Sequence, residues 1–204
     1  MEKFRYLDES HQYFLGACEM PGVTRILDGV GLISPFVKQN PGRTQEGKLA
    51  HHALALFGAD NLDFATVDQR IMGWVLSGVK FYEALKFKPV VLESPSFHPD
   101  YLYGYTFDAI GKSTLGDVLL DFKTGKAGKT GRLQLAAYLD PVQKKWGGKW
   151  KRVAVELDEH GGEPNLVWYS VVDQRTDFAD FLACRRVFDL LGWDNARENH
   201  KERA

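Results

Sequence analysis

The pattern of apolar and polar residues predicts a hairpin, an interruption and a short helix at the start of the chain. Residues 4–15, FRYLDESHQYFL, have the pattern of two strands with DES at the turn. Pro21 and Gly22 break the chain after this hairpin, and Thr24 can begin a short helix. The segment 33–43, ISPFVKQNPGR, contains two prolines and is expected to be irregular.

Two stretches with helical spacing, residues 44–57 and 67–85, follow this segment. The shared face of the first helix comprises Leu49, His52, Ala53 and Leu56. His51 lies on the neighbouring stripe of that helix, together with Gly47. The apolar face of the second helix comprises Ile71, Trp74, Val75, Val79, Tyr82 and Leu85. This second helix should cover one side of a sheet.

Pro89 ends the second helix, and the rest of the chain is predicted to contain both strands and helices. The predicted elements are then a strand ending at Glu93, a hairpin over 104–123, a helix over 132–146 that breaks or kinks near Pro141, strands over 152–158 and 165–173, and a helix over 177–191. Residues 192–204 form a polar tail that should fray. This order predicts an α/β (α+β) fold in which helices flank a central mixed sheet.

The hairpin over 104–123 places two carboxylates side by side in otherwise apolar strands. If the turn centres between Thr114 and Leu115, Asp108 faces Asp121. The apolar pairs that support this register are Ile110 with Leu119, Ala109 with Leu120, and Phe107 with Phe122. Adjacent carboxylates raise each other's pKa unless a cation lies between them, so a divalent metal is expected there.

Lys123 points the same way as Asp121, because alternate residues of a strand share a face. An Asp followed on the next strand by Asp-x-Lys suits metal-dependent hydrolysis of a phosphodiester. Two carboxylates can bind Mg²⁺ or Mn²⁺, and Lys123 can orient water and offset charge on the phosphate. The same Asp-x-Lys pattern also occurs as an ordinary ion pair on a surface strand.

The amino-acid composition indicates the size of the core and the location of the protein, but says little about its catalytic chemistry. The chain has 204 residues, of which 44% are hydrophobic and 13% aromatic, enough for one sizeable core and a single domain over 1–204. Within it, 1–60 holds the hairpin and first helix, and 89–152 holds the candidate site. The absence of a signal-like or membrane-spanning run predicts a soluble, cytoplasmic protein. Cys18 and Cys184 are too far apart for a CxxC zinc motif, and no iron–sulfur cluster is expected.

Basic residues concentrate after the candidate carboxylates, although the net charge is only −1. Residues 122–152 contain nine lysines and arginines against one acidic residue, Asp140. This run suits contact with a phosphate backbone, and a solvated surface is the alternative. The candidate DNA-contacting residues are Lys126, Lys129, Arg132, Lys144, Lys145 and Lys149. Trp150, in the same run, is expected to pack on the core.

Three segments, GYTFDAIG, LLDFKTGK and LQLAAY, resemble the RecB-type branch of the PD-(D/E)xK nuclease superfamily, especially its phage and prophage exonuclease-like members. The residues that match the family's motifs are Asp108, Asp121, Lys123, Thr124, Gly125, Gln134 and Tyr138. Gly104 lies one residue further from Asp108 than the family's Gly-x-x-Asp requires. Gly47 and His51 match a Gly and His four residues apart, and the opening HQYFLG with MPGVTRIL extends the similarity over nearly the whole chain.

The resemblance implies a restriction-endonuclease-like fold and a Mg²⁺- or Mn²⁺-dependent deoxyribonuclease, most simply an exonuclease in recombination or end processing. Asp108, Asp121 and His51 would bind the metal, and Gln134 with Tyr138 would position DNA. It also implies a bacterial or phage-infected host and leaves open a recombination partner protein. A homo-oligomeric ring or clamp, which would explain processivity, is a further hypothesis.

Several alternatives remain open at this level. His52 competes with His51, and Glu93 is either a further acidic ligand or a strand end. Tyr138 could instead pack into the core beside a surface Gln134, four residues away on the same helix face. A structure-specific or site-specific endonuclease would share every site residue, and a non-catalytic nucleic-acid-binding module would share the fold.

Overall fold

A small antiparallel sheet begins the chain in the computed structural model, which describes residues 2–33 and 41–193. Its strands are β1 (Phe4–Leu7), β2 (Gln12–Leu15) and β3 (Cys18–Met20), in the order β1-β2-β3. The predicted hairpin is therefore confirmed. The third strand was not predicted, because three residues are too few to show an alternating pattern.

Helices follow the small sheet. Their bounds are α1 Val23–Gly29, α2 Pro41–Gly58 and α3 Met72–Leu85, with a 3₁₀ turn at Phe64–Thr66. The irregular segment predicted over 33–43 lies largely outside the described residues, but its last part belongs to α2. Proline is tolerated there because the first turn of a helix leaves its N–H groups without helical partners. The predicted start of the second helix at 67 is wrong, because α3 begins at Met72. The 3₁₀ turn that precedes it is capped by Asp63, which accepts from Ala65 N.

A five-stranded mixed sheet forms the centre of the structure, as predicted. Its strands are β4 (Lys88–Phe97), β5 (Gly104–Ser113), β6 (Gly116–Lys123), β7 (Lys151–Glu156) and β8 (Asn165–Tyr169). They are ordered β4-β5-β6-β7-β8, and β6 and β7 are parallel while the other pairs are antiparallel. The prediction that a strand ends at Glu93 is wrong, because β4 continues through it.

Helix α4 (Thr130–Trp146) makes the crossover between the parallel strands β6 and β7. The predicted break near Pro141 is absent, because α4 runs through this proline as one helix. Helix α5 (Gln174–Phe188) follows β8 and ends in a π-helical turn at Asp189–Trp193. Most of the tail predicted to fray, from residue 194 onward, lies outside the described residues.

The core lies on both sides of the central sheet. One cluster joins α1, α4 and α5 to Ile110, Leu119 and Ala154, and the other joins α2 and α3 to Leu120 and Val153. The buried face of α2 differs from the predicted one. It comprises Ala50, Ala53 and Leu54, whereas Leu49 is 39% exposed. None of the helices in the described ranges is long and apolar enough to span a membrane.

Gly104 joins the small sheet to the central one. Its N–H donates to Pro21 O at 3.0 Å, and a Cβ at this position would lie 2.0 Å from the Tyr13 ring. Only glycine therefore allows this close approach. The contact places the small sheet against β5, four residues before Asp108.

Candidate active site

The hairpin of β5 and β6 has the predicted register. Ala109 pairs with Leu120 and Ile110 with Leu119. The regular ladder stops there, and the Asp108 carboxylate accepts a hydrogen bond from Phe122 N at 2.5 Å. Asp108 is thereby held beside the backbone of the segment that carries Asp121.

The predicted pairing of Phe107 with Phe122 is wrong. Phe107 belongs to the core cluster with Ile110 and Leu119, while Phe122 lies in the cluster on the other side. The backbone is irregular at this point, because Glu93 of β4 has a φ of 38° and forms no ladder pair with Asp108. Such irregularities re-aim side chains and are common beside active sites.

His51 of α2 contacts Asp108, and its Nδ1 donates to Asp108 Oδ1 at 3.0 Å. The helix can approach so closely because Gly47, one turn earlier, has no side chain. A Cβ at Gly47 would lie 3.2 Å from Thr124 Oγ1. The Gly and His spacing noted in the sequence therefore has a physical reason. Gly47 leaves room for α2 beside Thr124, and His51, on the next turn, contacts Asp108.

Asp121 begins a chain of polar contacts that ends at Tyr138. Lys123 Nζ lies 2.5 Å from the buried Asp121 Oδ2 and is its ionic partner. Lys123 Nζ also donates to Gln134 Oε1 at 2.7 Å, and Gln134 Nε2 donates to Tyr138 Oη at 2.7 Å. Tyr138 is 3% exposed, and burial raises its pKa well above the ordinary value.

The two aspartates have opposite pKa shifts. Burial raises the pKa of Asp108, but His51 and the hydrogen bond from Phe122 outweigh it, and the net pKa is lowered. Burial also raises the pKa of Asp121, and there the opposing attraction of Lys123 is too small, so the net pKa is raised. Burial lowers the pKa of His51, but the charge of Asp108 more than reverses this effect. Paired groups with pKa values pushed apart are typical of acid–base sites.

His52 and Glu93 form a separate pair at the edge of the site. Their side chains lie 3.5 Å apart and are 66% and 34% exposed. Burial and the charge of Asp108 raise the pKa of Glu93. Of the two competing histidines, His51 is therefore the one that contacts Asp108, and Glu93 lies close enough to respond to its charge.

The donor chemistry fits a hard divalent cation, although the cations now beside the carboxylates belong to the protein. Asp108 is paired with His51, and Asp121 with Lys123. Within residues 2–33 and 41–193, no three histidine, cysteine, aspartate or glutamate side chains are already arranged around a metal position. Carboxylate oxygens such as those of Asp108 and Asp121 are the ligands that a hard divalent cation prefers.

Glu156 is a site-supporting residue that the sequence prediction missed. It lies beside Lys123 in the parallel pairing of β6 and β7 and accepts hydrogen bonds from Ala127 N, Lys126 Nζ and Asn165 Nδ2 at 2.8–2.9 Å. These bonds fix the loop that follows Lys123. The signal was the acidic residue ending an apolar strand, since the carboxyl ends of parallel strands share one edge of a sheet.

A cavity of about 170 Å³ opens beside Glu156. It is lined by Gly125, Lys126, Glu156, Leu157, Asp158, Glu163 and Asn165. None of the two aspartates, His51 and Lys123 lines it, so this cavity is adjacent to the candidate site and distinct from it.

Several members of the basic run are already paired with acidic residues. Arg132 contacts Asp177 and Asp180, and Lys144 contacts Asp100 and Asp140. Lys126 is paired with Glu156, although 83% of its side chain is exposed. Among the described residues, the candidate DNA contacts that are exposed without such ion pairs are Lys129, Lys145 and Lys149. The number of basic residues in the sequence therefore overestimated the number of side chains available to contact a phosphate backbone.

Trp150 is buried, as predicted, and its indole N–H donates to Gly147 O at 2.6 Å.

No protein-family model matches the chain, and no curated protein matches it. A functional assignment therefore depends on the residues of the site and their arrangement.

Proposed function

We propose that this chain is a Mg²⁺- or Mn²⁺-dependent deoxyribonuclease with a restriction-endonuclease-like fold, related to the RecB-type PD-(D/E)xK nucleases. One observation carries the proposal. Segments far apart in sequence, on α2, β5, β6 and α4, bring together two contact groups, His51 with Asp108 and Asp121 with Lys123 and Gln134, which lie close enough for the charges of one to shift pKa values in the other. Such a cluster, with a raised pKa at one carboxylate and a lowered pKa at the other, is costly to fold and suits catalysis.

The roles follow from the side-chain chemistry. Asp108, Asp121 and His51 would hold the metal, which when bound would lower the pKa of a water ligand and offset charge on the phosphate. Lys123, held between Asp121 and Gln134, would orient the attacking water and stabilise the negative charge that builds on the phosphate.

Tyr138 would act through Gln134. Because its ring and hydroxyl are buried, it cannot contact DNA in this arrangement, and its hydroxyl fixes Gln134 as an acceptor for Lys123. Gln134 and Tyr138 are thus positioning residues for the lysine. This role replaces the direct contact with substrate expected from the sequence.

Exonuclease action on DNA ends is the preferred form of this activity, because the phage exonuclease-like pattern covers nearly the whole sequence. The DNA strand would approach over the exposed lysines Lys129, Lys145 and Lys149. A recombination protein is a further proposed partner. An exonuclease requires a DNA end, which distinguishes it from an endonuclease with the same site.

The test uses linear duplex DNA labelled at either end, with and without Mn²⁺. Wild type should release labelled fragments only with metal, and Lys123→Ala and Asp121→Ala should release none while remaining folded. Lys112→Ala, an exposed lysine at the far end of β5, is the matched control and should retain full activity. Equal degradation by all four proteins would overturn the proposal.

Covalently closed circles separate the two nuclease classes. An exonuclease leaves them intact, whereas cutting of circles by wild type, but not by Lys123→Ala, would identify an endonuclease. Tight DNA binding by wild type without metal-dependent cleavage of either substrate would instead identify a non-catalytic binding module.

A further inference from the structure

An aromatic group on the small N-terminal sheet lies beside the candidate site. It consists of Tyr6, His11 and Tyr13, whose ring centroids are 5.0 to 6.1 Å apart. The Tyr6 hydroxyl oxygen lies 2.7 Å from Nδ1 of His11. Tyr13 is buried, Tyr6 is half-buried and His11 is exposed, so the group runs from the core to the surface.

One contact and one electrostatic interaction place this aromatic group next to the catalytic candidates. The hydroxyl oxygens of Tyr13 and Thr106 lie 2.9 Å apart, and Thr106 is two residues before Asp108 on β5. On α2, exposed Lys48 precedes His51 by three residues. Partial burial lowers the pKa of the His11 imidazole, and the charge of Lys48 lowers it further, so Lys48 lies near His11. An exposed ring, a half-buried ring and a cation therefore border the site.

The backbone at His11 has a positive φ, which is uncommon for residues other than glycine. Its φ is 54°, in the left-handed region that favours glycine and asparagine, and its N–H donates to Asp8 O at 3.2 Å to close the turn. Glycine would fit this turn better. The position thus carries a ring that the hairpin does not need for its geometry.

We infer that the exposed His11 ring, which meets the Tyr6 ring edge-on at 78°, forms a stacking surface for one nucleobase of a DNA strand whose phosphate lies at the Asp108–Asp121 site, with Lys48 contacting an adjacent phosphate. This inference rests on the proposed nuclease function and adds a base-binding subsite to it. Aromatic side chains beside a cation are the usual combination for gripping unpaired nucleotides. Because every base has a flat face, the surface would bind without strong sequence preference.

His11→Gly gives the sharpest test, because it removes the ring while relaxing the turn. Binding of a short single-stranded oligonucleotide, labelled at its end, should weaken about five- to 100-fold in EDTA, with no loss of thermal stability. His11→Asn, which also tolerates the left-handed turn but lacks a comparable ring, should behave alike. Unchanged affinity in both variants would overturn the inference.

Oligonucleotides with a single abasic position show whether the ring contacts a base directly. The abasic position is moved along the strand in a series of oligonucleotides. At one position, its loss of affinity for wild type should equal the loss that His11→Gly shows with the intact strand. The same abasic strand should cost His11→Gly no further affinity. An abasic penalty that is equally large in the variant would contradict direct stacking.

Tyr6 and Lys48 provide two further comparisons. Tyr6→Phe keeps the ring and should retain affinity within about twofold, whereas Tyr6→Ala should weaken binding as His11→Gly does. Lys48→Ala should lower the slope of log affinity against log salt by about 0.7, the value for one phosphate contact on a single strand. Equal affinity of Tyr6→Phe and Tyr6→Ala would contradict the role of the ring.

The two proposals fail in different measurements. Metal-dependent cleavage tests the nuclease, and base-dependent binding in EDTA tests the stacking surface. Cleavage without an abasic effect would reject only the stacking surface. An abasic effect without cleavage at any Mn²⁺ or Mg²⁺ concentration would reject only the nuclease.

Discussion

Two clusters of ionic residues involve β6, β7 and α4, and the charge of the buried carboxylate is balanced differently in each. The site cluster consists of His51, Asp108, Asp121, Lys123, Gln134 and Tyr138. The arginine cluster consists of Arg132, Arg152, Asp177 and Asp180. Both draw cations from the same basic run of the sequence, but Asp177 has an arginine at each oxygen, whereas Asp121 is paired with a lysine that it shares with Gln134.

In the arginine cluster, each Asp177 oxygen faces its own arginine. Arg132 Nη1 donates to one oxygen and Arg152 Nη2 to the other, and the side chains of Arg152 and Asp177 are 1% and 5% exposed. Arg152 also donates to the carbonyls of Arg132 and Ser170 at 3.0 and 2.9 Å. These bonds tie α4, β7 and the segment after β8 to α5, so the cluster stabilises the fold.

In the site cluster, the same kind of burial leaves Asp121 with a raised pKa beside a second aspartate. Its lysine partner is 24% exposed and is shared with Gln134. The comparison indicates that a buried ion pair alone does not mark a functional site. What marks it is a carboxylate that remains costly to ionise despite its partner.

The largest expected effect is on stability, in the arginine cluster. Asp177→Asn leaves Arg132 and Arg152 without their anion, and arginine cannot shed its charge. The free energy of unfolding should fall by about 3 to 5 kcal/mol, measured by urea denaturation.

Asp180→Asn is the matched control for this cluster. The Asp180 side chain is 47% exposed, and its ion pair with Arg132 should be worth less than about 1 kcal/mol. An Asp177→Asn protein as stable as this control would show that the arginine cluster does not hold the fold.

The next effect is on catalysis, at Lys123. Lys123→Gln removes the charge but can still reach Gln134, and Asp121 can take up a proton in response. We expect cleavage to slow by about 100- to 1,000-fold, with a smaller loss of stability than Asp177→Asn shows. A folded variant with wild-type cleavage would place the chemistry elsewhere.

Tyr138→Phe should have an intermediate effect, because it removes only the acceptor that orients Gln134. We expect kcat to fall about tenfold with KM nearly unchanged, and stability to change by about 1 kcal/mol or less. A loss confined to KM would instead indicate that the tyrosine contacts DNA. Single-turnover cleavage at saturating and limiting DNA concentrations separates the two results.

The smallest expected effect is a gain in stability from Asp121→Asn. The raised pKa of Asp121 means that its ionised form costs folding free energy above that pKa, so the neutral variant should be more stable by about 1 kcal/mol at neutral pH. Protonation relieves the same cost in wild type, so the advantage should shrink as pH falls through the pKa of Asp121. Urea denaturation of both proteins from neutral to acidic pH measures it. An advantage that grows towards acidic pH would reverse the assigned sign.

The sequence predicted the parts of the site that depend on local pattern. The β5–β6 register followed from apolar residues such as Ile110 and Leu119, which can face each other in only one alignment. The family resemblance also implied that His51, four residues after Gly47, belongs to the metal site, and the structure places His51 against Asp108.

The parts that could not be predicted depend on contacts between distant residues. Asp177 follows Arg152 by 25 positions and meets it only because α5 packs behind β7. A charge count therefore assigned Arg132 to DNA contact when its cation was already paired. Likewise, nothing in the alternation of the two strands showed that Glu93 would adopt a positive φ or that Phe107 and Ala109 would face opposite sides of the sheet.

The most direct test of the nuclease site is the release of nucleotides from linear duplex DNA by wild type and Asp108→Asn over a range of Mn²⁺ concentrations. Asparagine preserves the shape of the side chain and can still accept from His51, so both proteins should be folded. We predict metal-dependent release by wild type and none by the variant. Equal release by both, or none by folded wild type at any Mn²⁺ or Mg²⁺ concentration, would contradict the account.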